Sequence, residues 1–129
     1  MTKIENDLLY TRDDEWIRVD GEEATVGVSD YAQDSLSDIV YLELPDVGET
    51  FEKGETFGVI ESVKAAGDLY MPVSGEVNAV NDGLLDEPEA VNEDPYGKAW
   101  MVRITMSDKS QLEDLMDADA YRAYCEERG

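Results

Sequence analysis

The chain has 129 residues, 42% of them hydrophobic, enough for one compact domain with a modest core. Ten Lys and Arg against 32 Asp and Glu leave a formal charge of −22, which repels nucleic acid and anionic membranes and leaves either a solvated, salt-adapted surface or docking onto basic partners. No histidine is present, so a Ser-His-Asp or Cys-His nucleophile cannot be built, and a zinc site would lack its commonest ligand.

The elements, in chain order, are mostly short strands. Residues 8–10 are strand-like and lead through Asp13, Asp14 and Glu15 to Trp16, Ile17 and Val19. Asp20-Gly21 then turns the chain into a return strand over 24–28. Ser29 caps a short helical turn through Tyr31, Ala32 and Gln33. Residues 39–44 form a strand that Pro45 ends. Turns at 47–49 and 52–55 bracket Phe51, a strand follows at 57–60, and 62–67 turn the chain back into 69–71. Pro72 breaks that strand and Ser74-Gly75 opens the next, over 76–80.

Residues 81–98, with two prolines, two glycines and several acids, read as loop. A last strand is expected over 99–106, with Trp100, Val102 and Ile104 on one face. Ser107 or Asp108 then caps a short helix bearing Leu112, Leu115 and Met116, and Asp117 caps a second bearing Tyr121, Tyr124 and Cys125. Trp16 and Trp100 read as core aromatics. Cys125, the one cysteine, lies on an apolar stripe as an inert thiol and suits a reducing compartment. A single domain over 1–129 is expected, with a lysine hairpin at 57–71 and a helical tail at 107–129. No run is apolar enough to cross a bilayer. The expected setting is cytoplasmic, or the mitochondrial matrix if a transit peptide has been removed.

One residue suggests chemistry. Lys64 sits between two strand-like runs, with Gly67 close behind and small neighbours in Ala65 and Ala66. That pattern places its ammonium outward at a hairpin tip, where a four-carbon stem and an acylable amine make a covalent tether. A lysine in a turn is otherwise a solvated charge. Ser62 beside it has no base to activate it and reads as a turn residue.

The run Phe57-Gly-Val-Ile-Glu-Ser-Val-Lys64-Ala resembles the modification hairpin of lipoyl-bearing domains. Biotin carriers usually place Met on both sides of the lysine, whereas Val63 and Ala65 flank it here. Across most of the chain the resemblance narrows to the glycine cleavage system H proteins. It is carried by Glu15-Trp16, by the run from Gly27 to Gln33, by Leu42-Glu43-Leu44-Pro45 and by Val47-Gly48. Beyond the lysine it continues through the run from Pro72 to Val77, Asn81, Leu84, Pro88, Val91-Asn92, Asp94-Pro95-Tyr96-Gly97 and Trp100. Two positions depart from the family pattern: Asp14 where His is usual, and Ala99 where Gly is usual.

The resemblance implies an all-β fold, a lipoyl/biotinyl-type flattened barrel or sandwich with short C-terminal helices. In it the lysine-hairpin strands pack against quasi-symmetric partners from 47–57 and 75–80. It implies a lipoate cofactor joined covalently to Lys64, with Glu61 and Gly75 read by the lipoylating enzyme. It implies a non-catalytic carrier that takes an aminomethyl group from the glycine decarboxylase (P protein) to the aminomethyltransferase (T protein). The dihydrolipoyl dehydrogenase (L protein) then reoxidises it. Glu15 and Asp68 resemble acidic positions beside a cleft that receives the loaded arm. A lipoate relay to other enzymes, or an unmodified interaction domain, would use the same chain.

Overall fold

Alternating burial along short strands builds two facing sheets. The computed structural model describes residues 3–128. In it β1 (Leu9–Tyr10), β2 (Glu15–Asp20) and β3 (Glu23–Val28) precede α1 (Asp30–Leu36). There follow β4 (Ile39–Glu43), β5 (Thr50–Phe51), β6 (Thr56–Ser62), β7 (Ala66–Tyr70) and β8 (Gly75–Val80). Two single-turn helices, α2 (Gly83–Asp86) and α3 (Ala90–Glu93), lead to β9 (Val102–Met106). A 3-10 turn (Lys109–Asp114) and α4 (Ala118–Arg128) complete the described chain.

One sheet has six strands in the order β1-β2-β3-β9-β8-β5, and the other has three in the order β4-β6-β7. Neither closes on itself, so the expected choice between barrel and sandwich resolves to two open sheets. The main core fills the space between them. Ile17, Val26, Val102 and Ile104 come from the large sheet, and Leu42, Ile60 and Leu69 from the small one. A second cluster of Tyr10, Trp16, Tyr96 and Tyr121 fastens α4 to the outer end of the large sheet.

Local sequence explains most boundaries. The β2–β3 hairpin pairs Asp20 with Glu23, and Gly21 takes the left-handed φ of +64° that the turn needs. Ser29 caps α1 by accepting a hydrogen bond from the Ala32 amide. Asp108 caps the 3-10 turn, and the Asp117 side chain accepts from the Ala120 amide at the start of α4.

Three expectations change. The lysine hairpin takes β4 as its ladder partner, while β5 and β8 pair with each other in the facing sheet. The 81–98 segment is not plain loop. Leu84, Ala90 and Val91 are buried, and three-residue hydrogen bonds such as Val91 N–H to Pro88 O close single helical turns beneath them. The last strand starts at Val102, because the Trp100 amide donates back to Gly97 O and closes a turn. Trp100 is therefore half-buried at the rim, under the Arg103 guanidinium 5.5 Å from its ring centre, whereas Trp16 is wholly buried. Ala99 is completely enclosed, and Cys125 is a buried free thiol.

Candidate functional site

Lys64 occupies the three-residue connection between β6 and β7, with Val63 and Ala65 on either side, and it is exposed. Ser62 builds the tip. Its Oγ accepts from the Lys64 and Ala65 amides at 3.2 and 3.0 Å and donates to Ala65 O at 3.1 Å. Its amide donates to Ala65 O at 2.7 Å, and the Val63 amide donates to Asp38 O at 3.0 Å. One hydroxyl therefore satisfies the turn without enclosing the lysine. Among the described residues Lys64 has no ion-pair partner, and its Nζ donates only to Ser35 O, at 3.4 Å.

Ser35 lies at the mouth of a cleft of about 230 Å3 between α1 and the small sheet. Val28, Leu36, Ile60 and Leu69 give it apolar walls, and Asp13, Asp14, Glu15 and Asp68 make the other end acidic. The two acids expected at a cleft thus both line this one, and the lysine reaches Ser35, which also lines it. Asp68 is exposed, whereas Glu15 is 2% exposed.

Glu15 is held on both oxygens. Thr11 Oγ1 donates to Oε1 at 2.8 Å and the Tyr70 amide donates to Oε2 at 3.1 Å. Those bonds favour the carboxylate, but burial outweighs them, and the nearby charges of Asp13 and Asp14 add to burial. The carboxyl is pushed up to about 8. At neutral pH Glu15 is mainly a neutral acid. The same side chain also borders a second hollow of about 270 Å3, on the side of Lys53, Tyr70 and Met116.

Asp14, at the position where the family usually has His, is part of a fastening. Its φ is +69°, a left-handed conformation uncommon outside glycine but most accessible to Asn and Asp. Arg128 grips its side chain from α4, with Nη1 and Nη2 donating to the two carboxylate oxygens at 3.0 and 2.7 Å. The guanidinium lies between the Tyr31 and Tyr124 rings, 4.0 Å from each centre. Tyr121 O–H donates to Asp14 at 2.8 Å and lies 2.6 Å from Ser29 Oγ, the α1 cap. The α1 cap and the acidic end of the cleft are thereby tied to α4.

Of the two residues expected to be read by a lipoylating enzyme, Glu61 is on β6, half-buried and paired with Tyr41 and Ala66. Gly75 opens β8 in the other sheet, buried between Phe51 and Met106. A Cβ there would stand 2.6 Å from Thr105 O, so packing alone requires glycine. Sequence reasoning missed Thr11 and Ser35, and gave Asn92 no role beyond its place in the family pattern. Asn92 Oδ1 accepts from the Ile39 amide, and its Nδ2 donates to Ser37 O and Gln33 Oε1, joining α3 to the end of α1. Only Thr11 had a local signal, as the first residue of a tight hydroxyl turn whose Oγ1 also accepts from the Asp13 and Glu15 amides.

Known proteins match this arrangement throughout. A family model described as "Glycine cleavage H-protein" matches residues 8–128. The chain is 54% identical over 126 residues to a glycine cleavage system H protein of Anaeromyxobacter sp. (strain K), covering 98% of each. It is 56% identical over 125 residues to that of Clostridium botulinum (strain Loch Maree / Type A3), covering 97% of this chain and 95% of the relative. The crystal structure of a glycine cleavage system H protein from Mycobacterium marinum superposes with a TM-score of 0.86 at 34% identity, covering 98% of this chain and 99% of that one. Sequence and backbone thus agree over nearly the full length, and the chain belongs to the glycine cleavage H-protein family, the lipoyl carriers of that system.

Proposed function

We propose that Lys64 bears the lipoyl group through an amide on Nζ, and that the cleft between α1 and the small sheet receives the arm's cargo. The observation that carries this reading is one of placement. An exposed lysine, without an ion pair among the described residues, reaches Ser35 in the lining of a cleft that Glu15 and Asp68 also line. The residues fit such a group. Ala65 and Ala66 leave the amine open, the apolar wall suits an aliphatic arm, and the acidic end suits an amine cargo. A lipoyl group supplies a dithiolane whose sulfur can hold a one-carbon amine fragment. The protein's own contribution is to tether, orient and shelter.

Glu15 is the residue with most to do in the cleft. A cationic amine beside a buried carboxyl favours its ionised form, so on entry of the cargo the carboxyl releases its proton to water and an ion pair forms where none stood before. Asp68, at the open rim, adds an exposed attraction of about 0–1 kcal/mol. The chain has no histidine, which supports a carrier whose chemistry is done by others. On this reading its partners are the P, T and L proteins together with the lipoylating enzyme.

Intact mass and fragmentation of protein from its native host test the tether. We expect one lipoyl group on Lys64, with the formal charge falling by one from −22 to −23. Lys64→Arg should leave the melting curve unchanged and abolish both modification and transfer. A wild-type protein that never gains the arm, or gains it elsewhere, overturns the reading. For the cleft, Glu15→Ala should speed loss of the amine fragment from the loaded carrier. Unchanged decay removes Glu15 from that role.

A further inference from the structure

We infer that the outer face of the six-stranded sheet carries a second binding site, for a small zwitterion of the amino-acid class. Arg18 and Arg103 grip its carboxylate, and Asp20 and Glu23 take its ammonium. The site shares no lining residue with the cleft beside Lys64 and does not depend on the lipoyl arm.

Strand register lays the charges out in two rows. Arg18 of β2 stands opposite Thr25 of β3, and Thr25 stands opposite Arg103 of β9. Two residues along, Asp20 stands opposite Glu23, and Glu23 stands opposite Thr105. Residues two apart on a strand share a face and lie about 7 Å from one another. A basic row therefore runs beside an acidic row, on the face turned away from the buried Val26, Val102 and Ile104. Arg18, Asp20, Glu23, Thr25, Trp100 and Arg103 line a hollow of about 380 Å3 there, against about 230 Å3 for the cleft.

Both guanidiniums are held, yet neither is neutralised. Lys3, Lys53, Lys98, Arg122 and Arg128 each reach a carboxylate. Arg18 and Arg103 form no ion pair among the described residues, in a chain with 32 acids. Neutral groups fix them instead. Arg18 Nη2 donates to Tyr96 O at 3.0 Å, and the guanidinium lies 4.9 Å from the Trp16 ring centre. Arg103 Nε donates to Thr25 Oγ1 at 3.5 Å, and the guanidinium lies over Trp100. Each keeps N–H groups for a ligand, and a guanidinium fork meets a carboxylate in two parallel bonds. In the acidic row Glu23 Oε2 accepts from Asn78 Nδ2 at 3.2 Å, which leaves Oε1 for a ligand. Asp20 directly opposite Glu23 is a like-charge pair across the hairpin, which costs stability. An anion alone would relieve the arginines and be repelled by the acids, and a cation alone would do the reverse. A small molecule with both charges answers both rows.

The test is a titration of the nitrogen-15-labelled, lipoylated carrier with glycine at constant ionic strength, read at the Trp100 indole N–H and the Arg103 Nε–H resonances. Saturating shifts with a Kd on the order of millimolar are expected, because a few exposed charged contacts support no tighter binding. Acetate and methylammonium each supply one half of the ligand and should bind several-fold more weakly. Arg103→Gln and Asp20→Asn should each weaken glycine about tenfold. Arg103→Lys, which keeps the charge and loses the fork, should fall between wild type and Arg103→Gln. Lys109→Gln removes a charge in the 3-10 turn, outside the hollow, and should change the Kd by less than about twofold. Melting curves show that each variant folds. Shifts that never saturate overturn the inference, as do equal effects of Arg103→Gln and Lys109→Gln. So does inorganic phosphate that binds more tightly than glycine and gains from Asp20→Asn, which would make the face a plain oxyanion site. None of these outcomes bears on Lys64, whose modification is read separately by mass.

Discussion

The hairpin around Lys64 and the aromatic corner under α4 solve opposite problems. At the hairpin tip, one serine hydroxyl and two backbone bonds hold three exposed residues. At the corner, Tyr10 and Tyr121 stack at 4.2 Å with an interplanar angle of 2°, and Tyr96 meets Tyr10 edge-on. Every buried polar atom there is used. Trp16 Nε1 donates to Pro95 O, Tyr96 O–H donates to Lys3 O, and Tyr10 O–H donates to Glu5 O. Among the described residues no buried side-chain nitrogen or oxygen lacks a partner. A tether must be displaced easily and a wall must not.

The sharpest way to break this contrast is to remove the corner. Trp16 is fully buried and packs tightly enough that a Cβ on Gly27 would stand 2.6 Å from its ring. Trp16→Ala should cost about 3–5 kcal/mol of unfolding free energy, measured by denaturant titration. The lipoylation rate of the fraction that remains folded should be unchanged, because the hairpin takes nothing from the corner directly. A matching fall in that rate would show the two regions to be one cooperative unit.

How much of this was legible follows the range of the interactions. The hairpin could be read from residues within a dozen positions of Lys64, together with the family pattern around them. So could the Ser29 cap and the Asp20-Gly21 turn, whose signals are local by nature. The Asp14–Arg128 pair spans 114 residues and the Ser29–Tyr121 contact spans 92. Nothing near Asp14 in the sequence announces its partner. Glu15 and Asp68 could be carried over from the family, but the burial that sets their different chemistry could not. One carboxylate sits under Thr11 and Tyr70, the other in solvent, and only the packed fold separates them. The helical turns within 81–98 were hidden by acids and prolines that masked three buried apolar residues.

Glu15 joins the two regions, and its ionisation measures the wall. With the folded carboxyl raised to about 8 from an ordinary value of 4.5, the native state keeps a proton that the unfolded chain has released. Below about pH 4.5 both states are protonated and nothing is lost. As pH rises toward 8 the unfolded chain gains the advantage, and above 8 the full cost of a buried charge is in place. Glu15→Gln removes that cost. Its amide can donate to Thr11 Oγ1 while its oxygen accepts from Tyr70. The variant should match wild type at pH 4.5 and exceed it by roughly 2–4 kcal/mol at pH 9. A constant difference across that range would place Glu15 in a wetter site than its burial indicates.

The smallest effect falls on the tether itself. Ser62→Ala deletes the hydroxyl that accepts from the Lys64 and Ala65 amides, yet leaves the Ser62 and Val63 backbone bonds in place. The tip is solvent-exposed, so water replaces the lost acceptor and stability should fall by only about 0.5–1 kcal/mol. Local order should change far more than global stability. Amide exchange at residues 64 and 65 should accelerate severalfold, while exchange in β2 and β3 keeps its wild-type rate. If the lysine needs only to be reachable, such a loosened tip accepts the arm at the normal rate. If the modifying enzyme reads a shaped turn, its KM for the variant rises with no change in the melting curve. Either outcome measures how much of the carrier's signal is the lysine and how much is the bend that presents it.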